Sequence, residues 1–103
     1  MDLSTFYDNV ESHEDLEGIG IDMSKDDPGV IIKNLKNGLL TRISIETIKI
    51  VNWNDLLDVL LCKRDPEVLQ QISRIVGYNS RITNWIQSKL SELADRHKGK
   101  YRV

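Results

Sequence analysis

Apolar side chains recur at three- and four-residue intervals along much of this chain, and polar residues interrupt them where helices would begin and end. Leu3, Phe6, Tyr7, Val10 and Leu16 predict a first helix over residues 3–16, capped by Ser4. Gly18-Ile19-Gly20-Ile21-Asp22-Met23 alternates small or polar with apolar residues, which reads as a short strand or extended linker whose glycines serve turns. Asp27-Pro28 then has the form of a helix start, with Asp as cap and Pro where its missing N–H costs nothing. That helix would carry Val30, Ile31 and Leu35 and stop at Asn37-Gly38.

Residues 39–51 hold two readings. The β-branched residues Thr41, Ile43, Ile45, Thr47, Ile48, Ile50 and Val51 favour a strand, whereas Ser44 as cap with Ile45, Ile48 and Val51 favours a short helix. Helix is preferred, because few other strand candidates exist to build a sheet. Asn52 caps a helix over Trp53 to Lys63 with Trp53, Leu56, Leu57, Leu60 and Leu61 on one stripe. Asp65-Pro66-Glu67 repeats the cap-and-proline start and leads through Val68, Leu69, Ile72, Ile75 and Val76 to Gly77. Asn79 or Ser80 opens a last helix with Ile82, Trp85, Ile86, Leu90 and Leu93 inward. The predicted fold is mainly α: a small single-domain bundle of short helices, with a short extended or β segment in the N-terminal half.

Composition is that of a soluble globular domain, 40% apolar and 29% charged over 103 residues. There is room for one small core and none for a catalytic barrel. No apolar run approaches a membrane span and no basic–apolar leader opens the chain, so a cytoplasmic protein is expected. The net charge of −2 conceals a polarity. Residues 1–30 carry nine acids against Lys25, while Arg74, Arg81, Lys89, Arg96, Lys98, Lys100 and Arg102 make the C-terminal end basic. The division expected is an acidic segment, 1–26, and a helical domain, 27–103. Cys62 is the one cysteine, and within Val59-Leu60-Leu61-Cys62 it reads as a buried, inert thiol. A single thiolate builds no tetrahedral zinc site, and His13 and His97 are too scattered in sequence to complete one, so no metal is expected.

The most specific pattern is Arg74-Ile75-Val76-Gly77-Tyr78, followed by Asn84-Trp85, Lys89 and Asp95-Arg96. Over residues 67–98 it resembles the C-terminal segment of anaerobic (class III) ribonucleotide reductases, where Arg-x-x-Gly-Tyr precedes Asn-Trp-Asn-x-Gly-Lys and then Asp-Arg, with no gap needed. The resemblance implies that Gly77 is the radical site, since only glycine leaves a Cα free to become planar and be closely approached. It also implies a separate activase, using S-adenosylmethionine and an iron–sulfur cluster, that installs the radical. Arg74, Tyr78, Arg81, Trp85, Lys89 and Arg96 would then be the binding residues around it. The chain departs from the family at Ile86 and Ser88, where Asn and Gly are usual, and lacks the thiyl cysteine and four-cysteine zinc site of the full enzymes. The function implied is that of a stand-alone accessory or derivative acting through a protein partner, a reductase or its activase, with no cofactor bound by this chain and no catalysis alone.

A helix ending at Gly77, a tight turn and a helix containing Trp85 also resemble a helix-turn-helix, with Ser73 at its small-residue position. Under this alternative Arg74, Arg81 and Lys89 meet the phosphates or base edges of a nucleic acid. Trp53 and Trp85 each fall within an apolar helical stripe, which reads as core anchoring before base stacking. Trp85 is expected on the final helix, touching the helix over Trp53 to Lys63.

Overall fold

The computed structural model describes residues 1–23, 28–66, 71–76 and 82–100, the last helix beyond Leu93 by its backbone alone. The order is α1 (Leu3–Ser12), β1 (Leu16–Asp22), β2 (Gly29–Asn34), β3 (Leu40–Ser44), α2 (Ile45–Ile50), α3 (Trp53–Leu60), β4 (Ile72–Ile75), β5 (Ile82–Thr83) and α4 (Gln87–Lys100). The strands form one antiparallel sheet in the order β4-β3-β2-β1-β5. The expectation of a mainly α bundle is therefore wrong. Among the described residues, four helices accompany a five-stranded sheet.

The error starts at β2. The helix predicted to carry Val30, Ile31 and Leu35 between Asp27-Pro28 and Asn37-Gly38 is strand instead, and Val30, Ile31 and Ile32 are all essentially fully buried, Val30 and Ile32 within the main core and Ile31 outside it. A strand covered on both faces loses its alternation, and β-branched side chains fit the pleated surface better than a helix. Asn37-Gly38, read as a helix stop, instead turns the β2–β3 hairpin: Gly38 has φ +77°, and its N–H donates to the Asn34 carbonyl at 2.8 Å. Asn37 Oδ1 accepts from Leu39 N at 2.9 Å, closing the same turn.

Both readings of residues 39–51 are realised in succession. Leu40–Ser44 is strand, and Ser44 Oγ then accepts from Thr47 N at 3.1 Å to cap α2. Asn52 caps α3 as expected, accepting from Asp55 N at 2.9 Å. Asp2, rather than Ser4, caps α1, accepting from Thr5 N at 2.7 Å. That helix ends at Ser12, and Leu16 opens β1.

The helix predicted from Asp65 to Gly77 is overturned at Ile72–Ile75, which is the edge strand β4; residues 67–70 lie outside the described residues. The last helix starts at Gln87, not at Asn79 or Ser80, which are also outside them. Ile82 and Thr83 pair with Asp22 and Ile21. A strand before Gly77 and another at 82–83 leave no helix-turn-helix among the described residues.

The core follows from register. Ile21, Val30, Ile43 and Ile72 are consecutive cross-strand partners, one row over four strands. Against them pack Leu3, Phe6 and Val10 of α1, Ile45 and Ile48 of α2, Leu56, Val59 and Leu60 of α3, and Leu90 and Leu93 of α4. Complete burial of such side chains contributes roughly 1.5–3 kcal/mol each. No described helix is long and apolar enough to cross a membrane.

Candidate functional site

The row two positions further along the sheet carries Arg74, one of the residues singled out by sequence. Gly18, Ile32, Thr41 and Arg74 are successive partners across β1, β2, β3 and β4. Arg74, at one end, is half-buried, and both terminal nitrogens of its guanidinium are engaged. Nη1 donates to Thr41 Oγ1, and Nη2 donates to the Val59 carbonyl at 2.8 Å. Val59 lies in the last turn of α3, at the negative end of the helix dipole, which favours a cation. Arg74 thus ties the edge strand to β3 and α3. Its geometry is that of an internal brace.

Trp85 lies at the other end of the row, above Gly18. A Cβ at position 18 would overlap the Trp85 ring, so glycine is what admits the indole. The signal was present in the sequence, since glycine inside a strand marks close approach by another element. It had been assigned to turns. Trp85 precedes α4 rather than sitting on it, and packs against Phe6 and Tyr7 of α1 and over Gly18 of β1.

Around Trp85 the aromatic residues form a ladder. Tyr7 stacks on it with ring centroids 5.0 Å apart and planes 20° apart. Phe6 meets it edge to face at 6.0 Å, and meets Trp53 in the same way at 6.2 Å. Trp85 Nε1 is buried and has no hydrogen-bond partner among the described residues. The Glu11 carboxylate, one helical turn on from Tyr7, raises the pKa of the Tyr7 phenol above the usual tyrosine value. The sequence places Tyr7 and Phe6 on a helix but does not link them to Trp85, because 77 residues lie between Tyr7 and Trp85.

The other face of the sheet carries a charged pair that sequence did not suggest. Arg42 Nε donates to Asp22 Oδ2 at 2.8 Å, and both side chains are over nine-tenths buried. Asp22 is on β1 and Arg42 on β3, so the contact bridges β2. It does so at Gly29, where a Cβ would lie 2.7 Å from Arg42 Cζ. Glycine at that position makes room for the guanidinium.

Lys89 is exposed and lies 4.0 Å from Glu92. Arg96 falls within α4, and its side chain is outside the described residues. Gly77, Tyr78 and Arg81 also lie outside them; the strands on either side, β4 and β5, form opposite edges of the sheet. Val76, immediately before Gly77, is fully exposed. Cys62, expected to be buried, is half-buried with φ +65°, and its sulfur accepts from Asn37 Nδ2 at 3.3 Å. Among the described residues no three His, Cys, Asp or Glu side chains gather to hold a metal ion. No protein-family model, curated protein or solved structure matches this chain.

Proposed function

We propose that this chain is a stand-alone accessory or derivative of the glycyl-radical type, resembling the radical end of anaerobic ribonucleotide reductase and acting in the cytoplasm through a protein partner. One observation carries the reading. Arg74, Gly77-Tyr78, Asn84-Trp85, Lys89 and Asp95-Arg96 keep the family's order and spacing without a gap.

The described geometry is compatible with a carrier role. Arg74 is braced by Thr41 and Val59, and Trp85 is seated on Gly18, so the chain is anchored three residues before and eight residues after Gly77. Val76 is open to solvent beside it. Radical formation removes a hydrogen atom from the Gly77 Cα, and the unpaired electron spreads over the adjoining amide nitrogen and carbonyl. A separate radical-S-adenosylmethionine activase supplies that abstraction. This chain contributes the glycine and the surface that presents it.

The test is anaerobic incubation with a reduced activase of that class, read by electron paramagnetic resonance. A doublet is expected in the native chain and absent in Gly77→Ala. Air should then cleave the activated chain at Gly77, leaving a fragment of calculable mass. A native chain that is folded yet gives neither doublet nor cleavage overturns the reading.

A further inference from the structure

Met1 stands between two helix ends. Asp2 caps α1, its carboxylate accepting from Thr5 N at 2.7 Å and its carbonyl from Phe6 N at 3.1 Å. One residue earlier, the Met1 α-ammonium donates to three carbonyls at the end of α2: Ile48 at 3.3 Å, Lys49 at 3.2 Å and Val51 at 3.2 Å. Val51 N–H closes that helix on the Thr47 carbonyl, and the carbonyls beyond it need partners from outside the helix. An ammonium brings three donors, and three acceptors face it. The charge also lies where it is favoured. Beside the first turn of α1 a cation is unfavourable, whereas the end of α2 is the negative end of a helix dipole. The Met1 side chain packs against the main core, so apolar contact holds the amine at this place.

We propose that the Ile48, Lys49 and Val51 carbonyls form a primary-ammonium site, filled by Met1, and that acylation of the Met1 amine is a modification that empties this site and loosens α1. The acyl donor is a thioester. The Met1 N–C bond forms and the thioester C–S bond breaks; of the two protons the ammonium gives up, one leaves with the thiol and one passes to solvent. Met1 is half-buried rather than enclosed, which leaves the amine within reach of such a donor. The amide that results is neutral and has one N–H for three acceptors. Two carbonyls are then left to water, and the charge that α2 favours is gone. α1 carries Phe6 and Tyr7, the ring partners of Trp85, and Ser4, whose hydroxyl accepts from Gln87 Nε2 at 2.7 Å. Loosening at Met1 therefore passes to the segment that leads into α4.

The full chain is assembled by ligation at Cys62 in three forms: free Met1, Nα-acetyl-Met1 and Nα-methyl-Met1, the last of which keeps the charge and two N–H donors. Acetylation should lower the thermal midpoint by about 4–8 °C, the shift that a cation at a helix end gives in a domain of this size. The methyl form should lose less than half as much. Carbonyl carbon resonances of Ile48, Lys49 and Val51 should move in the acetyl form, and amide exchange should accelerate in α1, while β2 and β3 keep their native values. An acetyl form that fails to fold beside a folded methyl form supports the proposal equally. A native midpoint with native carbonyl resonances in the acetyl form overturns it. So does a methyl form that loses as much as the acetyl form, which would assign the effect to bulk at the amine instead of to charge and hydrogen bonding. None of these outcomes bears on whether Gly77 accepts a radical.

Discussion

The β1–β3 meander and the C-terminal arm are held by different kinds of interaction. Residues 16–44 form three strands joined by successive antiparallel pairings, with Ile21, Val30 and Ile43 in one apolar row and a buried Asp22–Arg42 pair on the opposite face. Residues 72–100 contribute a four-residue strand at one edge, a two-residue strand at the other and a helix laid against α1. The arm is attached through separate points: Ile72 on Ile43, Arg74 on Thr41 and Val59, Trp85 on Gly18, and Leu90 and Leu93 in the core. A continuous ladder shares its load among many backbone bonds, whereas separate anchors let one region open before another.

Removing a member of the buried charge pair should give the largest effect. Arg42→Ala strips Asp22 of its guanidinium in a buried setting, at a cost of about 3–5 kcal/mol. Chemical denaturation should show the whole molecule losing its midpoint in one transition. An unchanged midpoint would mean that the meander does not depend on this pair.

Trp85→Ala should cost about 3 kcal/mol, at the low end for loss of a large aromatic because the ring is only half-buried. Its signature should be regional. Amide exchange in α4 should accelerate while β1–β3 stay protected, and uniform acceleration would erase the distinction between the two regions. Gly18→Ala addresses the same contact from the sheet side. The added methyl overlaps the indole, so displacement of Trp85 should cost about 1–3 kcal/mol and alter tryptophan fluorescence. Native fluorescence and stability in this variant would show that the indole does not need the space.

The smallest effect concerns Asp2. Its carboxylate accepts from Thr5 N, and that hydrogen bond lowers its pKa below the usual aspartate value. A depressed folded pKa means that the cap's contribution is present above the unfolded pKa and is lost as pH falls through the lower folded value. Acid should therefore weaken α1 in the native chain, and Asp2→Asn, which caps without titrating, should flatten that part of the stability curve. An identical acid limb in both proteins would remove Asp2 as a contributor.

Local chemistry was legible where its cause is local. Asn52 and Ser44 cap the helices expected of them because capping needs only a side-chain oxygen and N–H groups two or three residues ahead. Leu90 and Leu93 face inward as their spacing on the last helix predicts. The candidate site was legible as an ordered set of residue types, from Arg74 to Arg96. The work done by Arg74 and Trp85 was not, since Thr41, Val59, Tyr7 and Gly18 are brought to them from distant parts of the chain.

The amino-acid sequence by itself determined the Ser44 and Asn52 caps, the asymmetry of charge, the single thiol and the spacing around Gly77, because each depends on residue identity or on neighbours within one turn. Tertiary structure alone decided that Val30-Ile31-Ile32 and Ile72–Ile75 are strands. Such short apolar runs do not by periodicity alone distinguish a strand from a buried helix, and it is the cross-strand row with Ile21 and Ile43 that places Val30 and Ile72 in the core. The same long-range pairing put Gly29 beneath Arg42 and Gly18 beneath Trp85. Whether a strand glycine serves a turn or admits a side chain depends on what the fold places above it.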